Sequence, residues 1–546
     1  MKRVTKRLGA LLVVSVLLAS VLFGCAAQTK GTTDSATGTS AHNDQVTIGF
    51  PNIPEHFDPL QGYGTSGHDG GQLIFSTLVA TDADMHIVPD LATDYTISDD
   101  ALTYTFTLRD DARFTDGTPV TADDVVFTFQ SFQDAATSVD LSMMAGITAA
   151  DNRVVITLTE PRSTFLLTVA AAGIVPEHAY NADFGLNPVG SGPYKLAQLD
   201  PDQQWILEAN EDYYGTVPTI KRAVFVKMTD EDTQLAAVKA GEVDITLTSA
   251  TLANVNTVDG YHLQQEKTVD NMGVVMPTVP AQAQKNQYGA PVGNDITCDV
   301  NFRKALAYGI DRDAICTAAL NGFATPAYSE NDGMPWSNAD SAIDYDLNYA
   351  RELLDKAGWT DSDGDGIRDK DGIRAALPLL YFAGDSVRQA VCMALAQQAR
   401  DNLGIEITPA GIAADDFTAR MYAEPIILAW GSANPITSYY LYHSSHAGLD
   451  DWYNPENYTS DTVDGYLERA VAARTLDDAS ELFRQAQWDG QTGTSMRGDC
   501  PYVFLINKTH LYWVRDGLDI GRQQIHAHGD AWPLVNNLAE WSWAAN

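Results

Sequence analysis

Residues 106–129, FTLRDDARFTDGTPVTADDVVFTF, permit only one succession of local structure. Tyr104, Phe106 and Leu108 alternate with threonines, the pattern of a half-buried strand. Asp110-Asp111 and Asp116-Gly117-Thr118-Pro119 supply turn chemistry. Thr121 followed by Asp124 is a capping-box signature, with Thr121 at the N-cap and an acid at the third helical position. Val125, Val126, Phe127 and Phe129 then give a helix its apolar positions. The run therefore specifies strand, loop and capped helix.

The N-terminus speaks to location. Lys2, Arg3, Lys6 and Arg7 precede an apolar stretch, 8–23, that is too short for an ordinary membrane span. It ends in Leu22-Phe23-Gly24-Cys25, which resembles a bacterial lipobox. Cleavage would leave Cys25 as a lipid-modified N-terminus; an ordinary secretory signal is the alternative. A leader 1–24 is expected, then a flexible tether 25–44 rich in Ser, Thr, Gly, Ala and Gln. The expected location is extracytoplasmic, anchored by lipid to the cell membrane.

Removal of 24 residues leaves 522, enough for several cores. The formal charge is −38, and the leader's four basic residues take the remainder to about −42. So acidic a body repels nucleic acid and anionic lipid surfaces. Besides Cys25, the cysteines are Cys298, Cys316, Cys392 and Cys500, widely spaced and without a CxxC. Neither a zinc ribbon nor a redox motif is indicated. There is no HExxH, GxSxG or P-loop, so no hydrolase or nucleotide chemistry is implied.

Strand patterns at 45–50, 103–108, 153–158, 206–208 and 224–228 alternate with helical ones. Helices are expected at 231–239, over the apolar stripe 301–320, at 349–357 before Gly358, and at 386–403 before Gly404. Two more follow at 462–473 and 477–488. Such alternation predicts an α/β protein with helices covering the sheets.

The opening run resembles the signature of the family 5 extracellular solute-binding proteins, the dipeptide, oligopeptide and nickel receptors of ABC importers. Four later segments resemble that family in the same order: NPVGSGPYKL at 187–196, AGEVD at 240–244, NFRKALAYGIDRDAI at 301–315, similar to a family helix pair, and ARELLDKAGWTDSDGDGIRD at 350–369. The resemblance implies a two-lobed type II periplasmic-binding-protein fold (a Venus flytrap) with an extra domain inserted in the first lobe. Lobe I would comprise 45–85, 184–271 and 502–546, the inserted domain 86–183, and lobe II 272–501. A monomer would close on a small solute and hand it unchanged to a permease with its ATPase subunits, with no resident cofactor; a ligand sensor without transport is the more remote alternative.

The ligand stays open between a small peptide and a nickel chelate. Residues 429–435, AWGSANP, match the family's cleft motif, with Trp430 as the cleft tryptophan. Many peptide receptors carry an aspartate where this chain has Ala433, and a buried ammonium without its counter-charge is costly. Tyr439 and Tyr440 would offer an aromatic wall. Tyr63 and Ser66, in the GYGTSG loop at 62–67, are expected in the cleft. His443 with His446, and His526 with His528, are candidate metal ligands, since imidazole suits Ni²⁺. Asp361, Asp363 and Asp365 resemble the start of a calcium loop, though Gly372 stands where its closing glutamate would be.

Overall fold

The strand Thr103–Leu108 buries Tyr104, Phe106 and Leu108 and turns its threonines outward. Thr121 N donates to Asp124 Oδ2 at 2.9 Å, and Asp124 N to Thr121 Oγ1 at 3.3 Å, so the capping box is formed. The helix Ala122–Ala135 follows from it. The protein was analysed as a computed structural model that describes residues 44–51, 53–61, 71–135, 139–449, 452–528 and 532–545. Tyr63, Ser66, Cys25, the leader and all but the last residue of the tether lie outside the described residues.

Among the described residues three large sheets form. The strand above belongs to a four-stranded antiparallel sheet, in the order Ala92–Ile97, Thr103–Leu108, Arg153–Leu158, Met144–Ala150. A seven-stranded sheet runs Tyr261–Glu266, His510–Arg515, Ile245–Thr248, Gln45–Phe50, Arg222–Lys227, Gln204–Ala209, Tyr194–Asp200. Its centre is parallel, Gln45–Phe50 lying between Ile245–Thr248 and Arg222–Lys227. Trp205 and Phe225 stack at 3.7 Å in its core. A six-stranded sheet runs Ala324–Pro326, Tyr502–Lys508, Asn271–Val275, Ile426–Leu428, Ala376–Phe382, Glu406–Ile412.

The chain passes between the two larger sheets twice. Strand Tyr261–Glu266 of the first leads into Asn271–Val275 of the second, and Tyr502–Lys508 returns through Thr509 to His510–Arg515. The return therefore falls at Thr509, not at the boundary 502 expected from the sequence. Lys508-Thr509-His510 carries no glycine or proline to mark the change of sheet.

Helix boundaries follow their caps. The stripe 301–320 is two helices, Val300–Gly309 and Arg312–Leu320, parted by extended Ile310 and restarted by Asp311, whose Oδ1 accepts Ala314 N at 3.0 Å. Helix Ser386–Gln398 widens into a π turn at Ala399–Leu403, and Gly404 ends it in the left-handed region at φ 67°.

Candidate functional site

The two crossings are tied together side by side. Thr268 Oγ1 donates to the Lys508 carbonyl at 2.6 Å, and Lys508 N donates to the Asp270 carbonyl at 2.9 Å. The Asp270 carboxylate, 1% exposed, lies 2.9 Å from Lys508 Nζ and 3.4 Å from His510 Nε2. It also lies 2.6 Å from His528 Nδ1. Burial alone would raise its pKa, but hydrogen bonds from His510 and His528 and the Lys508 charge outweigh burial and hold it well below the usual carboxylate range. Behind His510, its Nδ1 faces His526 Nδ1 at 3.1 Å, so one of the two must carry the shared proton. Burial, with His510 beside it, pushes His526 down to about 3. His526 is therefore neutral at physiological pH.

The segment after the hinge is pinned as well. Val269 N donates to His526 O at 2.9 Å, His526 N to Lys267 O at 2.9 Å, and His528 N to Gly431 O at 3.0 Å. Gly431 lies so close to the first crossing that a Cβ would overlap the Val269 carbonyl oxygen. Its φ is not positive, so the requirement is space rather than conformation. Gly431→Ala is expected to cost about 1–3 kcal/mol by overpacking. A melting temperature equal to wild type would disprove the close approach.

Beside this hinge a cavity of about 570 Å³ opens. Asp140, Arg162 and Leu167 of the residues 86–183 line it, facing Gly431–Asn434, Tyr440 and Tyr453 of the residues between the crossings. Gln524 and His528 come from the C-terminal segment. The walls meet again away from the hinge: Ser163 N donates to Val471 O at 2.9 Å and Arg474 Nη2 to Ile97 O at 2.7 Å. Met85 and Leu167 share an apolar cluster with Leu441, Tyr442, Val463 and Leu467. The structure thus holds the walls together.

The residues singled out from the sequence divide between wall and interior. Ala433 and Tyr440 line the cavity. Trp430 does not: its ring stacks on Tyr453 at 5.0 Å, and its carbonyl accepts Asn271 Nδ2. The tryptophan thus supports the wall that its neighbours form. Tyr439 stacks on His443 at 4.3 Å and is likewise off the wall. His443 is buried, with Nδ1 2.7 Å from Ser445 Oγ and Nε2 3.4 Å from Glu468. His446 lies edge-on to Tyr440 at 5.2 Å. His526 faces the hinge, and His528 alone of the four histidines lines the cavity. Among the described residues, neither histidine pair belongs to a group of three converging ligands. Neither pair can close a metal site by itself.

His528 is 47% exposed. Because ionised Asp270 accepts only, the neutral ring's proton sits on Nδ1 and its Nε2 keeps a lone pair. Asp361, Asp363 and Asp365 place carboxylate oxygens within 4.8 Å of one another on the surface. Protein donors already engage them: Gly364 N and Gly366 N donate to Asp361 at 2.8 and 3.0 Å, and Arg374 pairs with Asp365. An arginine at the third carboxylate, and glycine at the closing position, fit a turn better than a divalent cation.

Sequence reading missed Arg162, Asp140, Tyr453, Gln524 and Asp270. No motif surrounds them, and four segments distant in sequence bring them together.

Comparison with known proteins places the chain. Residues 86–452 match the model of the bacterial extracellular solute-binding proteins, family 5 Middle. Protein XP55 of Streptomyces lividans is 31% identical over 523 residues, covering 92% of this chain and 90% of the relative. The oligopeptide-binding protein AppA of Bacillus subtilis is 24% identical over 535 residues, covering 92% and 93%. The crystal structure of NikZ from Campylobacter jejuni in complex with Ni(L-His) superposes with a TM-score of 0.71 at 24% identity, covering 92% of this chain and 99% of that one.

Proposed function

The chain belongs to the bacterial extracellular solute-binding proteins of family 5, and on that footing we propose that it captures a small peptide or peptide-like solute and delivers it to the permease of an ABC importer. Its fold is the α/β, two-lobed type II binding-protein fold of that family. The family works outside the cytoplasm, and no described helix is long and apolar enough to cross a membrane. In this reading Cys25 carries the lipid that keeps the protein at the membrane, the chain works as a monomer, and no bond of the solute is made or broken.

One observation carries the reading: a cavity of about 570 Å³ beside paired crossings, with walls drawn from both sides of the hinge. That volume lies in the range for small-molecule sites. A ligand touching both walls gains contacts that an open form lacks, so it shifts the population toward closure. No resident cofactor is needed for that step.

A second reading, a nickel chelate as the solute, rests on His528. Its Nδ1 is fixed by Asp270 and its Nε2 lone pair belongs to a ring on the cavity wall. One imidazole would complete a metal already held by small chelators.

A thermal-shift comparison distinguishes the two. The purified chain is heated with di- to pentapeptides, with Ni²⁺ and histidine together, or alone. A ligand at about 100 times its Kd adds about 2.7 kcal/mol to the native state and raises the midpoint. Peptides alone shifting it support the first reading; Ni²⁺ with histidine alone, lost in His528→Ala, supports the second. No shift with either class removes both.

A further inference from the structure

We propose that Arg162 is the specificity residue of this cavity and that it receives a carboxylate of the ligand. The inference rests on the solute-capture reading above and adds what that reading leaves open, the charge a ligand must bring.

Arg162 sits between strand Arg153–Leu158 and helix Phe165–Ala171, in a segment anchored on two sides. The Tyr104 hydroxyl donates to the Arg162 carbonyl at 3.3 Å, and the next residue, Ser163, donates its N–H to Val471 O at 2.9 Å. The backbone is therefore fixed where the two walls meet. The side chain is 15% exposed and lines the cavity. Its Nη2 lies 3.3 Å from Glu160, a carboxylate 63% exposed, and an ion pair with so solvated a partner is worth little. Its Nε is buried with no hydrogen-bond partner among the described residues. Buried donors without partners are uncommon and costly. That Nε is closed off from solvent, so what this guanidinium offers a ligand is its terminal N–H groups.

The rest of the wall supplies no competing answer. Among the described residues that line the cavity, Arg162 is the sole lysine or arginine. Asp140 is the sole acid there, yet it does not pair with Arg162; its Oδ1 accepts Ser142 N at 2.9 Å. Ala433 leaves the opposite wall without a carboxylate that would hold a ligand ammonium or neutralise the arginine. A permanent cation with a planar fork, facing a neutral wall, selects a carboxylate: the two oxygens match two N–H groups in one plane. Closure strengthens the pair, because the same Ser163–Val471 contact that joins the walls also fixes the arginine's backbone.

A carboxylate can arrive on a peptide C-terminus or on an amino acid that chelates metal. The test has an arm for each. Calorimetry measures binding of tetra-alanine against its C-terminal amide, and of Ni²⁺ with L-histidine against Ni²⁺ with histamine, which lacks the carboxylate. Wild type should prefer the carboxylate-bearing member of one pair by about 30-fold or more, the scale for truncating a desolvated charge pair. Arg162→Met should lose that preference by weakening the carboxylate member alone. Arg162→Lys should recover part of it, keeping the charge but not the fork. Glu160→Gln should bind as wild type does. The unliganded melting temperature of Arg162→Met, compared with wild type, separates misfolding from lost recognition. Equal binding of acid and amide by wild type, or an unchanged preference in Arg162→Met, overturns the proposal while leaving solute capture intact. Failure of wild type to bind any of the four probes overturns the capture reading and this inference together.

Discussion

Asp270→Ala is expected to lower stability by about 3–5 kcal/mol, the scale for removing one partner of a buried ion pair. The carboxylate is 1% exposed and serves three donors from two segments: Lys508 at 2.9 Å, His510 at 3.4 Å and His528 at 2.6 Å. Removing it leaves the Lys508 ammonium, 26% exposed, without the charge that holds it at the crossing, and leaves His510 Nε2 facing a void. Asp270→Asn keeps the shape but loses the charge, and an amide must turn a donor toward one of these groups. It should fall between wild type and alanine. The measurement is the urea midpoint with its slope. An unchanged slope would locate the loss in native-state stability rather than in denatured compactness. Because the same carboxylate fixes the His528 ring on the cavity wall, the variant should also weaken ligand binding beyond what the stability loss explains. A midpoint corresponding to less than about 1 kcal/mol of loss would mean that main-chain bonds, not this cluster, hold the crossings.

What the sequence displayed and what it concealed follow from the range of the forces. The 106–129 run was legible because alternation, turn residues and a capping box act within a few positions of one another. Gly358 and Gly404 ended their helices as expected, each in the left-handed region. No strand of the six-stranded sheet was among those expected. Ile426–Leu428 is three residues long and buried on both faces, so it offers no alternation to read. Asn271–Val275 is buried at every position for the same reason. In the candidate site, the AWGSANP motif lies on a loop that lines the cavity, but it did not tell which of its side chains faces that cavity. Trp430 turns onto Tyr453 while Gly431 and Ala433 form the wall. The pairing of His526 with His528 suggested one metal site, yet alternate residues of an extended segment point opposite ways. One reaches inward to His510 and the other meets Asp270 at the cavity. Arg162 carries no local signal, since the cavity it lines is built from segments far from it in sequence.

Glu456 gives the second large effect, and its direction follows from burial. The side chain is 3% exposed, and burial pushes its pKa from 4.5 up to about 8 against the smaller pulls of its own backbone amide and the Arg303 charge. Arg303 is committed elsewhere, donating to the carbonyls of Cys500 at 2.9 Å, Thr297 at 2.7 Å and Asp499 at 2.7 Å. Tyr442 and Tyr502, which feel this carboxyl, and Glu330 bonded to Tyr442 are also buried and displaced upward, chiefly by burial, so none offers a cation. At pH 7 the folded protein therefore holds a proton on Glu456 that the unfolded chain has released. A raised folded pKa contributes stability that is complete below about 4.5 and is lost as pH rises through about 8. The loss across that window is on the order of 3–5 kcal/mol. Glu456→Gln keeps the shape of the neutral acid and cannot ionise. Its urea midpoint should match wild type below about pH 4.5, exceed it increasingly up to about pH 8, and keep that lead above it. Glu330, displaced in the same direction, tilts both curves alike, so the difference between them reports Glu456 alone. If the two curves run parallel from pH 5 to 9, the carboxyl is ionised in the folded state and a cation or water must reach it.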